Sequence, residues 1–341
     1  MPVIRLDLAA LLKAGSLSEA EAARLESLAL PDRRGNLLVN VLLIFGALAV
    51  SAAAIALVPN AATGLTLALG ALVGAEALRR LAPGEAFSVL SSGLALMGTL
   101  GLAGWIGWQF GDAPSATATA LLITGVLTAG AAWFRSAFLA ALAVLALGAV
   151  FGSGTGYWHA SYALFVEEPV ITISVFGALA AGFYRVRTIV DAAWSLLLTV
   201  AARTSIILVH FAFWVGSLWG DLLGDSGWRQ TRYDDYAAYE AWEKTAIALP
   251  EWPFSIGWAA LAIALAMLTR RGGFLSVSAM VFLAIHAYTQ YFEVFGAEPG
   301  TLLLAGLTLV GLAVGLTAYL RKEHLAQIHP PGPGPDSPPA E

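Results

Sequence analysis

The chain has 341 residues, 58% hydrophobic and only 12% charged, with a mean hydropathy of +0.75. Water-soluble domains carry about 25% charged residues, so the charge deficit excludes an ordinary soluble fold. A net charge of −5 without a basic block leaves no footprint for nucleic acid, and zero cysteines exclude disulfides, thiolate metal sites and cysteine nucleophiles.

Residues 1–36 read as a cytoplasmic helical hairpin. Val3 to Ala14 forms one short helix stopped by Gly15. A second helix follows in "SLSEAEAARLESLALP", with Ser18 as N-cap, Glu21 three residues on as a capping box, and Pro31 as its end. The segment is polar and mixed in charge, so no cleavable signal is expected and the first apolar run serves as an uncleaved anchor.

Ten apolar segments follow, near 37–58, 63–81, 87–110, 116–134, 137–151, 169–184, 191–219, 254–269, 274–293 and 301–320. Runs of this length predict an all-α, polytopic transmembrane bundle of about ten spans over residues 37–320. A transmembrane β-barrel would need alternating segments of about ten residues, and these runs are continuous. Lys and Arg accumulate in cytoplasmic loops. With the N-terminus inside, 14 of the 18 basic residues fall on the inner side, including Arg79, Arg80, Arg135, Arg185, Arg187, Arg270, Arg271, Arg321 and Lys322. Both termini are therefore expected in the cytoplasm, in a bacterial inner membrane.

Two outer segments stand apart. "GSGTGYWHASYALFVEEP" is an aromatic loop with Glu167 and Glu168 near its end. The long loop 220–253 holds seven carboxylates, and its Tyr236, Tyr239 and Trp242 are spaced three apart, as on a helix at the outer interface. Asp221, Asp225, Asp234 and Asp235 lack the alternation of a calcium loop, so no metal is expected. Residues 321–341 form a Pro-rich cytoplasmic tail, expected to be disordered.

Gly70 and Gly74, Gly107 and Gly111, and Gly311 and Gly315 are four apart, and Gly98, Gly101, Gly104 and Gly107 recur every third residue. In lipid such small residues are packing seams. No phosphate loop, His-Glu-x-x-His pair or nucleophile elbow appears, so no catalytic residue, cofactor or metal is expected and the chain is not read as an enzyme.

Polar residues inside spans carry more information, because a charge at the bilayer centre is costly and faces protein or water. At 100° per residue, Arg203, His210, Trp214, Ser217 and Asp221 share one stripe of span seven. In span nine, His286, Gln290 and Glu293 form a second stripe. Both spans run in one direction, and counting from equal starts matches Arg203 with His286 and His210 with Glu293 at similar depths. The stripes are thus expected to share a polar intramembrane pocket of Arg203, His210, His286, Gln290 and Glu293.

Three stretches carry a family likeness: the lead-in "LLKAGSLSEAEAARLESL", span one "NLLVNVLLIFGALAVSAAAIALVPN", and the ending "YTQYFEVFGAEPGTLLLAGLTLVGLAVGLTAYLRK". Together, roughly a third of the chain, they resemble a family of uncharacterised bacterial membrane proteins, domain of unknown function 2157. Tyr291, Phe292 and Glu293 match its aromatic-acidic ending. Gln290 stands where that ending would have a basic residue, and Asn60 lacks a following Trp. The resemblance implies many spans and a cytoplasmic N-terminus, and it brings no activity.

Two functional readings stay open. In one, the protein is a transporter-like or sensing component that takes a small-molecule or ion ligand in its polar pocket. In the other, it is a non-transporting scaffold or envelope-stress protein with structural polar residues, binding protein partners at the N-terminal hairpin or the acidic outer loop. The lipid bilayer is its partner in either case.

Overall fold

The computed structural model describes residues 17–27, 59–81, 85–111, 116–158, 161–269, 273–296 and 298–308, with isolated helical positions at 45, 46, 49, 56, 310, 311 and 314. The expected first helix of the hairpin, most of segment 37–58 and the Pro-rich tail lie outside the described residues. The second hairpin helix, α1 (Glu19–Ser27), starts on the expected capping box. The Ser18 backbone N–H donates to Glu21 Oε2 at 2.9 Å, and the Glu21 N–H donates to Ser18 Oγ at 3.3 Å.

The chain divides into two compact units, residues 1–143 and 144–341. The first holds α2 (Ala61–Leu81), α3 (Glu85–Phe110), α4 (Ala116–Phe134) and the start of α5 (Ala137–Val150). The second holds the rest of α5, an antiparallel ribbon β1 (Ser153–Trp158) and β2 (Ser161–Val166), then α6 (Pro169–Val186) and α7 (Ala192–Trp219). After these come β3 (Asp221–Leu222), α8 (Asp225–Asp234), α9 (Tyr236–Glu243), β4 (Ala248–Leu249), α10 (Glu251–Leu268), α11 (Phe274–Phe295) and α12 (Pro299–Thr308).

Eight of the ten expected apolar segments coincide with described helices, and the last, 301–320, is described as a continuous helix only as far as residue 308. Among the described residues, six helices are long and apolar enough to cross a membrane: α2, residues Phe87–Phe110 of α3, α4, α6, α7 and α11. Helix α5, residues Glu251–Met267 of α10, and α12 are apolar but shorter stretches. The chain is a mostly helical, multi-pass membrane protein. Helices dominate because a bilayer core offers backbone N–H and C=O groups no water, and a helix satisfies them within one segment.

The two segments expected on the outer side are more ordered than loops. In the first, Ser153 pairs with Val166 and Trp158 with Ser161, and Gly154 admits the Phe165 ring, which would stand 2.8 Å from a Cβ there. In the second, β3 and β4 pair Asp221 with Leu249 and Leu222 with Ala248, so the loop returns on itself with α8 and α9 between the strands. Gly220 makes the exit from α7 with φ of 70°, a left-handed geometry that glycine adopts without strain.

In the first unit the glycine seam is narrower than the repeat suggests. A Cβ on Gly98 would sit 2.7 Å from Leu72 Cγ and 2.8 Å from both the Ala68 oxygen and the Leu72 nitrogen, so α3 lies directly on the α2 backbone there. Gly101 faces Ala68 at 3.1 Å, whereas Gly104 and Gly70 face nothing within 4 Å. Close approach also lets Ser91 Oγ donate across to the Ala75 carbonyl at 2.9 Å. Gly98→Ala should therefore lower the thermal unfolding midpoint in detergent, at an overpacking cost of about 1–3 kcal/mol. Gly104→Ala, facing open space, should leave the midpoint within the scatter of ordinary surface substitutions; equal effects would contradict the seam.

Candidate functional site

In the second unit α7 is central, with half of its apolar window buried. Its inward face begins with Ala201, Leu208 and Val209, which pack with Val144 and Phe176. One turn further, His210 meets α10 and α11. Gly216 allows that meeting, since a Cβ there would stand 2.5 Å from the Phe254 ring.

His210 and Trp258 are both 0% exposed. The Trp258 indole Nε1–H donates to His210 Nδ1 at 3.0 Å. An indole can only donate, so this imidazole is the neutral tautomer with its hydrogen on Nε2. Phe282 of α11 stacks on the same ring at 4.5 Å and 7°. The His286 ring also packs on the indole, 4.6 Å from it centroid to centroid, and is hydrogen-bonded to the Ser255 backbone one turn earlier on α10. Two buried ring nitrogens, His210 Nε2 and His286 Nδ1, have no partner among the described residues. The result is a cluster of two imidazoles and an indole on three helices, the rings tilted by 47° and 50° to the indole, about 10–14 Å from the end of the bundle that carries β3 and β4.

The stripes expected from the sequence meet here, through a third helix. His210 and His286 both contact Trp258, and Gln290 Nε2 donates to the Ser217 carbonyl at 3.4 Å. Arg203 and Glu293 do not join them: both are exposed, and the Arg203 guanidinium stands 5.1 Å from the centroid of the Phe274 ring. The reason is register. Arg203 is level with Phe274, His210 with Phe282, and Ser217 with Gln290. The helix α11 thus starts beside the fourth turn of α7 rather than beside its first residue, so depths counted from equal starts do not apply. Trp258 escaped the polar-stripe search because an indole in an apolar run reads as packing.

A second buried cluster caps this end. Glu168, 1% exposed, precedes α6 but reaches to the start of α8. It accepts from the Gly224 N–H at 3.1 Å, the Ser226 N–H at 3.0 Å and Ser226 Oγ at 2.9 Å. Asp221, which follows α7, caps α6 in turn through Oδ2, which accepts from the Val170 N–H at 2.7 Å. Its Oδ1 has no partner among the described residues. Burial pushes the Asp221 carboxyl up to about 6; the Val170 N–H opposes this, and the Glu168 and Asp225 charges add to it. Asp225 itself is held by Arg232 and by the Tyr239 hydroxyl, which donates at 2.9 Å. So Tyr239 faces inward while Tyr236 stays exposed and Trp242 stacks on Trp228 at 5.2 Å. Among the described residues no group of three or more metal-ligating side chains converges.

No family model, no curated protein and no solved structure matches the chain.

Two outcomes follow from this geometry. Trp258→Phe keeps the ring and removes the N–H, leaving His210 Nδ1 unpaired and buried; unfolding in detergent should cost about 1–3 kcal/mol less than for the native chain. For Asp221, the folded chain keeps a proton between its ordinary value of 3.8 and about 6 that the unfolded chain has released. Stability should therefore fall as pH rises through that window and level off above it. Asp221→Asn keeps an acceptor for Val170 and cannot ionise, so its advantage over the native chain should grow between pH 4 and 7. A difference constant across that range would remove Asp221 as the titrating group.

Proposed function

We propose that this chain is a bacterial inner-membrane protein of ten spans with both termini in the cytoplasm, and that its second unit is a sensing component rather than a conduit. The alternation of basic residues supports the sidedness, and membership of the family that its two ends resemble belongs to the same proposal. One observation carries the functional choice: His210 and His286 are buried among the rings of Trp258 and Phe282, while the two charges that a route would use, Arg203 and Glu293, are exposed. A transported polar solute needs a lining that water reaches. A cluster that is closed and held by one N–H···N bond instead suits a two-state element, because taking up a proton at His210 Nδ1 would set an N–H against the indole N–H and break the α7–α10 contact.

The transporter-like reading keeps one observation in its favour. His210 Nε2 and His286 Nδ1 are buried without partners among the described residues, and a chain of waters would satisfy both.

Histidine acylation by diethyl pyrocarbonate in lipid nanodiscs, read by mass spectrometry, separates the two. In the sensing reading His210 and His286 stay unmodified while added N-acetylhistidine and a free histidine peptide serve as references, and Trp258→Ala makes both buried histidines reactive. Native-chain His210 and His286 reacting as fast as the references would establish a wetted route and overturn the sealed-sensor reading.

A further inference from the structure

The first unit contains a groove that the proposed function does not use. It lies between α2, α3 and α4, has a volume of about 730 Å³, and is walled by Leu72, Val73, Leu102, Val126 and Phe134. Its floor is where α3 and α4 come closest: a Cβ on Gly130 would stand 2.6 Å from Thr99 Cγ2. Along α2 the groove runs from Leu72 to Leu81, about 14 Å at 1.5 Å per residue. That is about half of the ~30 Å hydrocarbon core, the depth of one leaflet.

One end of the groove is polar. Glu76 accepts from Arg79 Nε and Nη2, both at 2.9 Å, from Arg80 Nε, and from Trp133 Nε1 at 3.1 Å. Arg79 also stands 6.0 Å from the Trp133 ring centroid. One carboxylate therefore orients two guanidinium groups and an indole at the mouth. Two cations against one anion leave a net positive charge, and the arginine side chains remain 48% and 67% exposed.

We propose that this groove binds one acyl chain of an anionic phospholipid, with the lipid phosphate on Arg79 and Arg80. In a bilayer an apolar groove open to the side takes up hydrocarbon, since water gains nothing there. The groove is as long as one leaflet and ends in a Trp and two Arg, the residues suited to headgroup depth. The fixed guanidinium fork selects phosphate and a negative headgroup over a zwitterionic one. Only the choice of the cytoplasmic leaflet, where anionic lipids concentrate, rests on the sidedness proposed above.

The test uses the full chain in mild detergent, with native mass spectrometry of bound lipid after adding dioleoylphosphatidylglycerol or dioleoylphosphatidylcholine at equal concentration. Each arginine near an anionic headgroup contributes about 1 kcal/mol, or about fivefold in affinity. Phosphatidylglycerol should therefore be retained about 5- to 25-fold over phosphatidylcholine. The double substitution Arg79→Gln and Arg80→Gln, at exposed positions, should abolish that preference. Ala129→Trp, which fills the groove with the arginines intact, should remove binding of both lipids. Equal retention of the two lipids by the native chain would overturn the proposal, as would unchanged phosphatidylglycerol binding in the double-glutamine variant. Because the chain has no cysteine, a pair introduced at Ala77 and Ile44 gives a further decisive reading. Quantitative cross-linking of that pair in the membrane would mean that segment 37–58, and not lipid, occupies the groove.

Discussion

The Trp258 indole N–H and the His210 Nδ1 lie 3.0 Å apart with neither ring exposed, and the second unit is organised around that one bond. In water the bond would be replaceable, and its net worth would be small. In a sealed, apolar interior it is not, because each group would otherwise be buried without a partner. The bond fixes the depth at which α10 meets α7. Phe282 stacks on the imidazole and His286 packs on the indole, so α11 is brought to the same level. Three helices with little else in common thereby acquire one register, which runs on to the Gln290 contact with Ser217.

The cap solves a different problem by similar means. The starts of α6 and α8 each carry backbone N–H groups with no partner inside their own helix. Glu168 and Asp221 supply acceptors, but each does so for a helix reached across the fold: Glu168 for α8, and Asp221 for α6. Buried carboxylates are costly, and a helix N-terminus is a favourable environment for one. Glu168 has three donors and is fully matched. Asp221 has one, and burial pushes its carboxyl up. The exchange ties the α6, α7 and α8 ends together above the histidine cluster, so the acidic loop is a built part of the unit.

How much of this was legible from the chain depended on range. The capping box at Ser18 and Glu21 is local and could be read from two letters. Six of the apolar runs were legible as helices long enough to cross a membrane, because the length of such a run is itself a local signal. His210 and His286 were legible as members of helical stripes, since a 100° period needs no knowledge of neighbours. The Glu168 bonds were not, because their targets lie 56 and 58 residues away along the chain. Trp258 was invisible for a chemical reason: its one polar atom has no signature within an apolar run. The β1–β2 ribbon was hidden by glycines that break the alternation of a strand, although one of them, Gly154, is what lets Phe165 lie across it.

Register explains Arg203 as well. The helix α7 has 28 residues, a length of about 42 Å, against a hydrocarbon core of ~30 Å. Exposed Trp219 at its far end suits headgroup depth. A core of ~30 Å measured back from Trp219 would end near Thr199, which would put Arg203 about 6 Å inside it rather than at the bilayer centre. A side chain as long as arginine can cover that distance to reach the headgroups, and its stem gains by lying on apolar surface as it does so. The Phe274 ring at the start of α11 offers the guanidinium a π face on the way. The charge that looked stranded in the middle of an apolar run is thus explained by the overhang of α7 past α11. Further along α7, His210 is enclosed where Arg203 is not, and its neutral form is the one that the indole N–H requires.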